Sequence, residues 1–290
     1  MKLALAACGV NPPSSPKFFF ARLDRLAADA ALAGAELLMV PEYVSMVLAG
    51  AEVKSPDLAA ELLSVLNQTD ALLDNFSTIA QRHKLHILGG SLPMRDAGSG
   101  KIRNRAPFIA PSGKILFQDK QSMTRFEAEE WDISGGEGPR LFDTALGRIG
   151  VSICYDSEFP LHVRTQVAAG AKLILIPSCT STPAGFNRVR FSARARAVEN
   201  QCYTAMVPLV GKAAWSGAID VNIGHSALFA PCDEGFPDDG VIAAGPLNEP
   251  GITFAEVNFT AIDIVRSNGN VLNHRDWGAA VPPCPVVELI

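Results

Sequence analysis

Five short runs of mainly apolar residues recur along this chain, and they limit most strongly which folds it can adopt. A strand that is buried on both faces has this pattern, whereas a strand with one face in water alternates between apolar and polar residues. Helical stretches separate the runs, so the sequence predicts a layered α/β protein. The runs are ELLMV (36–40), LHILGG (85–90), IGVSI (149–153), KLILI (172–176) and ITFAEV (252–257).

Two of the helical stretches open with a serine followed by a proline. Ser15-Pro16 and Ser55-Pro56 each suit an N-cap residue and the first residue of a helix. Apolar residues between Phe19 and Ala30 recur at three- and four-residue steps, which places them on one buried face. A third helix is predicted over residues 187–200.

The order of these segments repeats along the chain. We interpret the repeat as two similar halves that face each other across one core, and no low-complexity linker divides them, so residues 1–290 are expected to form a single domain. The first half runs through helix 16–34, strand 36–42, a helix, strand 85–92 and hairpin 107–120; the second runs through helix 161–170, strand 172–178, a helix, strand 202–210 and hairpin 226–245.

The composition is that of a soluble globular protein. Hydrophobic residues make up 48% of the chain and charged residues 19%, and the formal net charge is −5. Nucleic acid and membranes are therefore not expected as partners, because the basic patch that binds phosphates is absent and no apolar run approaches the roughly 20 residues of a membrane span. The opening MKLALAACGVNPP is interpreted as a first core strand, since its apolar stretch is too short for a signal peptide.

Six cysteines lie far apart in the chain and form no CxxC pair. A chain of 290 residues buries enough surface to fold without disulfide bonds, so we expect reduced thiols and a cytoplasmic location. The cysteines are Cys8, Cys154, Cys179, Cys202, Cys232 and Cys284.

Cys154 is the best placed of these thiols for chemistry. It follows IGVSI at the carboxyl end of a predicted strand, where open α/β sheets usually build their sites. Asp156 or Ser157 can cap a helix before Pro160, which gives a strand-to-helix turn of the kind that exposes nucleophiles. Position alone leaves a packing role equally open, because free cysteine is often buried, and Cys179 at a similar strand end is a rival thiol.

A reactive thiol needs a nearby base, and no histidine is singled out for that role. The spacing of His83 and His86 is weak support for a metal site, since no third ligand is evident, and packing or solvated roles are favoured. His162 lies shortly after Cys154, whereas the remaining two could approach it only through the fold. The five histidines are His83, His86, His162, His225 and His274.

Two charged residues directly follow buried strands. Glu42 closes LLMVPE and Lys120 closes ILFQDK. Burying a charge is costly unless it is paired or functional. Each residue alone suits an ordinary charge at the rim of a sheet, but together with Cys154 at a third strand end they form a candidate site.

Three segments of the chain carry a family resemblance. They are VPEY, DKQSMTRFEAEEW followed by Gly135-Gly136, and IGVSICYDSEFP. In order and spacing they resemble the three signature segments of the nitrilase superfamily of carbon–nitrogen hydrolases. Further similarity through residues 177–211 and 224–240 extends the resemblance over nearly the whole chain.

The resemblance assigns roles to three residues and one backbone group. Glu42 matches the family's general base, Lys120 its catalytic lysine and Cys154 its nucleophile. The backbone N–H of Tyr155 matches the second donor to the oxyanion.

A second glutamate is expected in the segment after the lysine. Counting back from Gly136 favours Glu129 for this position, with Glu127 and Glu130 as neighbouring alternatives. This glutamate would orient Lys120 or the substrate amide.

The resemblance also implies a fold and a reaction. The fold is a four-layer α-β-β-α sandwich of two similar halves. The reaction is hydrolysis of a small-molecule amide C–N bond through a thioester acyl-enzyme, with release of ammonia or an amine and with no metal or organic cofactor. CYDSEFP looks more like the amidase and carbamoylase branches than the true nitrilases. The alternatives are a nitrilase, an N-acyltransferase that uses the same acyl-enzyme, and a non-catalytic binding protein.

Substrate contacts and assembly are expected from two further regions. The loop 181–186 is expected to shape the pocket, and one of four arginines is a candidate for a substrate carboxylate, although pairing with Glu199 or solvation is favoured for most of them. Family resemblance implies a homodimer or larger homo-oligomer, with residues 281–290 as an arm across the interface. The arginines are Arg188, Arg190, Arg194 and Arg196.

Overall fold

A computed structural model describes residues 1–278 of the chain. The predicted arm at 281–290 therefore lies outside the described residues. Between residues 1 and 278, no helix has the length and hydropathy needed to cross a membrane.

Groups of strands and groups of helices follow one another along the described chain. The strands are β1 (Lys2–Gly9), β2 (Leu37–Met39), β3 (His86–Leu88), β4 (Leu92–Arg95), β5 (Ile102–Ile109), β6 (Ile115–Asp119), β7 (Leu141–Thr144), β8 (Gly147–Val151), β9 (Leu173–Ser178), β10 (Tyr203–Lys212), β11 (Val221–Asn222), β12 (Ala227–Phe229), β13 (Val241–Ala244) and β14 (Gly251–Glu256). The helices are α1 (Pro16–Leu32), α2 (Met46–Ala49), α3 (Leu58–Asn67), α4 (Thr69–His83), α5 (Arg125–Glu129), a 3₁₀ helix (Cys154–Glu158), α6 (Pro160–Ala168), α7 (Pro183–Asn200), α8 (Phe259–Asn268) and α9 (Asn273–Asp276).

The strand pairing repeats, as the order of segments predicts. In the first half β1, β2 and β3 are parallel neighbours, and an antiparallel hairpin of β5 and β6 follows β3. In the second half β8, β9 and β10 are parallel neighbours, and an antiparallel hairpin of β12 and β13 follows β10. The halves join where the ends of β1 and β10 pair, at Cys8 with Leu209 and Gly9 with Val210.

Alternation along β1 assigns its two faces to different layers. Leu3 and Leu5 pack in a cluster with strands and helices of the second half. Ala4 and Ala6 pack in another cluster with α1 and α4. Successive residues of a strand point to opposite faces of the sheet. One face of β1 therefore packs toward the second half and the other toward the helices, as a helix–sheet–sheet–helix order requires. The mixed α/β class is confirmed.

The second predicted helix begins later than expected and is interrupted. Asp57, not Ser55, caps α3, because its carboxylate accepts from the N–H of Ala60 at 3.0 Å. Gln68 then leaves helical geometry and separates α3 from α4. The prolines at α1 and α7 are at or next to the first helical turn, where their missing N–H is harmless.

The pairing of β1 with β2 matches that of β8 with β9, so Cys154 has a counterpart in the first half. Leu3 pairs with the first residue of β2, and Ile149 pairs with the first residue of β9. Cys8 and Cys154 each follow five positions later. The two thiols therefore occupy equivalent strand ends.

Candidate active site

The three residues singled out from strand ends meet at one cavity. Glu42 follows β2, Lys120 follows β6 and Cys154 follows β8, and these strands end at the same edge of their sheets. The cavity has a volume of about 310 Å³ and is lined by all three side chains. Glu42 and Lys120 are each 1% exposed, and Cys154 is 5% exposed. The site is thus deep enough to weaken solvent screening of its charges.

The Lys120 ammonium is held between two carboxylates. Its Nζ donates to Glu42 Oε1 at 2.8 Å and to both oxygens of Glu127 at 2.8 and 2.7 Å. Burial alone lowers the pKa of Lys120, but the charges of Glu127 and Glu42 outweigh it and raise that pKa well above its usual value. Lys120 is therefore a fixed cation, and a buried cation needs such partners.

The two carboxylates differ in proton affinity. Burial raises the pKa of Glu42. Burial acts the same way on Glu127, but the Lys120 charge and hydrogen bonds from Lys120 and Tyr43 bring its pKa down to about 2. Environments that separate the pKa values of paired acids distinguish proton carriers from permanent charges. Glu42 is the group suited to take and return a proton, and Glu127 remains ionised.

Asn104 on β5 connects both carboxylates, and the sequence did not single it out. Its Nδ2 donates to Glu42 Oε1 and to Glu127 Oε1, each at 3.0 Å. Its side chain is fully buried. A lone asparagine within a strand gives no pattern by which to recognise it, so only the fold reveals this contact.

The expected placement of Glu129 is wrong, and Glu127 occupies that position. Glu129 is exposed and pairs with Arg125 at 2.9 Å. Glu127 is 2% exposed and anchored by Thr124, whose N–H and hydroxyl donate to Glu127 Oε2 at 2.9 and 2.8 Å. In return the N–H of Glu127 donates to the Thr124 hydroxyl at 3.3 Å, which completes a capping box at α5. The Thr-x-x-Glu pattern at 124–127 is the sequence signal that could have identified it.

Cys154 begins the 3₁₀ helix with a left-handed backbone, at φ 47°. Such strain at a strand-to-helix turn is typical of exposed nucleophiles. Burial and then the Glu42 charge raise the pKa of the thiol well above its usual value, against the lowering effect of Lys120. The resting thiol is therefore neutral, and reaction requires a base to remove its proton.

Asp156 ties the cysteine segment to the lysine segment. Its carboxylate accepts from the N–H groups of Gln121 at 3.0 Å and Ser122 at 2.7 Å, directly after Lys120. Burial raises its pKa to about 6. The contact fixes the position of Lys120 relative to Cys154.

The rest of the cavity wall comes from several loops and α7. Within the predicted loop 181–186, Ser181, Thr182 and Gly185 line the cavity, and so do Tyr155 and Arg188. The Nε of Arg188 lies 3.5 Å from Glu158, so this guanidinium is near the cavity but already paired. Among the other arginines, Arg196 bonds to Glu199 at 2.6 Å.

Histidines are absent from the described cavity lining, and Cys179 is present in it. His83 bonds to Asp24 at 2.8 Å, and His162 lies 3.8 Å from Asp156. Cys179 donates to Asn222 Oδ1 at 3.2 Å, and its carbonyl oxygen lies 3.8 Å from the Cys154 sulfur. The base nearest the nucleophile is therefore a carboxylate.

Comparison with known proteins identifies the family. The carbon–nitrogen hydrolase family model matches residues 4–266. A probable hydrolase, YhcX, from Bacillus subtilis is 34% identical over 84% of this chain and 47% of its own length, so the chain spans about half of that relative. A chloroplastic omega-amidase from Arabidopsis thaliana is 26% identical over 92% of the chain and 70% of its own length.

A solved structure gives the same result for the fold. Nit3 of Saccharomyces cerevisiae, described as a member of branch 10 of the nitrilase superfamily, superposes with a TM-score of 0.71 at 24% identity, over 92% of this chain and 93% of its own. The resemblance found in the three signature segments is confirmed. The chain belongs to the carbon–nitrogen hydrolase family.

Proposed function

We propose that this protein is a cysteine-dependent hydrolase of a small-molecule amide, acting through a thioester acyl-enzyme on one catalytic domain. The observation that carries the proposal is the cavity in which Cys154 lies beside Glu42 and the paired ammonium of Lys120. Together a thiol, a carboxylate that can take its proton and a cation that can hold the oxyanion suffice to acylate a cysteine from an amide.

The first half of the reaction forms the thioester. Glu42 takes the proton of the Cys154 thiol as the sulfur attacks the amide carbonyl carbon. The carbonyl oxygen gains negative charge, which the Lys120 ammonium and the N–H of Tyr155 stabilise; one such donor contributes about 2.7–4 kcal/mol. The C–N bond then breaks, and Glu42 returns its proton to the leaving nitrogen.

The second half releases the acid. Glu42 takes a proton from water as that water attacks the thioester, and the thiol of Cys154 is regenerated with a carboxylic acid as product. Glu127 keeps its negative charge throughout, and its bonds to Nζ hold Lys120 in place. Every proton in the cycle is accounted for by Glu42, so the steps need no histidine.

The amide is favoured over a nitrile or an acyl transfer. The omega-amidase named above is an amide hydrolase by its name, and CYDSEFP resembles amidases. An N-acyltransferase would pass the same acyl group to an amine, and a non-catalytic protein would leave the amide intact.

Ammonia release across a panel of amides tests the proposal. The panel contains linear primary amides, ω-amides of dicarboxylic acids and N-carbamoyl amino acids, with added amines in a parallel series. We expect ammonia and a free acid from at least one class. Preferential acylation of the amine would indicate a transferase, ammonia from nitriles alone would indicate a nitrilase, and no turnover would favour a binding role.

We also propose a homodimer formed through α6 and α7. Leu161 on α6 is 68% exposed and Phe191 on α7 is 58% exposed, and Phe159 between the 3₁₀ helix and α6 is 36% exposed. The helices α6 and α7 pack against each other, and exposed apolar side chains on neighbouring helices commonly mark an interface. Leu161→Asp is expected to give a monomer by light scattering, with exposed Leu32→Asp as the control; a wild-type monomer would contradict the proposal.

A cytoplasmic location is proposed from the thiols. Within residues 1–278, Cys8, Cys154, Cys179, Cys202 and Cys232 form no disulfide bond with one another. Unpaired cysteines are typical of reducing compartments.

A further inference from the structure

A loop on one side of the cavity is held by α3, and no residue of α3 is among the described residues that line the cavity. The loop, residues 213–220, joins β10 to β11 and is closed by a bond of 2.7 Å from the N–H of Ala213 to the carbonyl of Asp220. Gly217 and Ala218 line the cavity. The loop therefore forms part of the cavity wall, and a shift of the loop would change the space that a substrate can occupy.

Glu61 on α3 is the side chain that contacts the loop most extensively. Its Oε1 accepts from the N–H of Gly217 at 2.7 Å, and its Oε2 accepts from the Ser216 hydroxyl and from the N–H of Ala218 at 3.4 Å. Within α3, Oε1 also accepts from the N–H of Asp57 at 3.3 Å. The carboxylate thus receives three of its four donors from the loop.

These contacts replace the hydrogen bonds to water that the Glu61 carboxyl group loses on burial. Its side chain is fully buried, and no lysine, arginine or histidine in residues 1–278 forms an ion pair with it. A buried carboxylate is tolerated only where donors replace its water. The loop and the carboxylate therefore stabilise each other in one position.

Packing also holds the loop against α3. A Cβ atom added to Gly217 would lie 3.1 Å from Leu58 Cδ2, so the glycine backbone is pressed against the first turn of α3. Ser216 adds a second constraint, because its hydroxyl accepts from the N–H groups of Ala218 at 3.1 Å and Ile219 at 3.0 Å.

We propose that Glu61 is a positioning residue that holds residues 216–218 against α3 and thereby selects the acyl group of the substrate by size. The inference rests on the proposed amide hydrolysis. Glu61 acts through the loop and does not touch the reacting atoms.

Glu61→Gln tests the proposal, because it preserves shape but replaces one acceptor by an N–H₂ group that faces the loop donors. Two straight-chain amides of different length that the wild type hydrolyses are compared. We expect the ratio of kcat/KM values to shift toward the longer amide by roughly tenfold, mainly through KM. Amide hydrogen exchange of residues 216–218 is expected to quicken by a similar factor.

Glu52→Gln is the matched control. Glu52 accepts from a serine hydroxyl, that of Ser64, at 2.7 Å but lies outside the cavity lining. We expect an unchanged ratio and unchanged exchange at 216–218. Should Glu61→Gln fail to fold, Ser216→Ala weakens the same loop and is expected to shift both readouts in the same direction.

Unchanged selectivity together with unchanged exchange at 216–218 would overturn the proposal, as would an equal loss of kcat for both amides. Wild-type protein that hydrolyses no amide would instead refute the proposed function, while the exchange measurement would still report whether Glu61 holds the loop.

Discussion

Cys8 and Cys154 occupy equivalent strand ends in the two halves, yet only one has the surroundings of a nucleophile. Cys154 lies in the cavity with Glu42 and Lys120. Cys8 donates to its own strand, to the carbonyl of Ala6 at 3.4 Å, and burial raises its pKa to about 12.

The residues around the two thiols explain the contrast. Ser178 follows Pro177 in β9 as Glu42 follows Pro41 after β2, so a serine stands where the first half has the carboxylate. The residue after β13 is Gly245, where β6 is followed by Lys120. A repeated fold supplies the strand end twice, but chemistry arises only where charged partners surround the thiol.

Removing each thiol in turn gives the largest expected difference. Cys154→Ala is expected to reduce amide hydrolysis by more than about a thousandfold, because the acyl-enzyme cannot form. Cys8→Ala deletes the equivalent thiol, which lies outside the cavity lining, and is expected to retain activity within about twofold. Ammonia release measures both, with circular dichroism to check folding. A comparable loss in both variants would show that the two strand ends do not differ in function.

Replacing each of the two candidate glutamates by glutamine tests which carboxylate fixes Lys120. Glu127→Gln is expected to lower kcat/KM by roughly a hundredfold, because Lys120 loses the partner that fixes it. It is also expected to reduce the free energy of unfolding by about 3 kcal/mol, since a buried pair is broken. Glu129→Gln, at an exposed pair, is expected to change kcat/KM by less than about twofold. Equal effects on rate and on urea denaturation would contradict the assignment of Glu127.

The smallest expected effect concerns pH. Asp156 lies two residues after Cys154, where Val10 stands after Cys8. As pH falls through about 6, Asp156 takes a proton and one of its oxygens stops accepting from the loop after Lys120. We expect kcat/KM of the wild type to decline several-fold below about pH 6, and Asp156→Asn to flatten that decline. A pH profile unchanged by the substitution would refute this role.

The protonation of Asp156 that lowers kcat/KM is expected to stabilise the folded state. Its pKa of about 6 in the folded state exceeds the ordinary value of 3.8, so the folded state binds this proton more tightly than the unfolded state. Its stabilising contribution is therefore complete below about pH 4 and is lost as pH rises through about 6. Thermal melting of the wild type relative to Asp156→Asn across this range measures it.

The sequence by itself determined the repeated α/β order and the three strand-end residues. Glu42, Lys120 and Cys154 each stand at a strand end, and strands that run in the same direction bring their carboxyl ends to one edge of a sheet. Position alone left Cys154 equally open to a packing role, and the resemblance of the three segments to the family decided in favour of chemistry. The segment 181–186 was also expected to shape the pocket; Ser181, Thr182 and Gly185 line the cavity, but residues 183–186 form the first turn of α7 and not a loop.

The tertiary structure decided which glutamate faces Lys120, because the count from Gly136 favoured Glu129 and the capping-box pattern at 124–127 was not used. Residues 127 and 129 lie about 200° apart around a helix, at 100° per residue, so a two-residue error in the count reverses the face. Asn104 and Glu61 were also beyond the sequence, because their partners are distant in the chain: Asn104 lies 62 residues from Glu42, and Glu61 lies 156 residues from Gly217. Contacts of that separation are set by how strands and loops assemble, which no local pattern records.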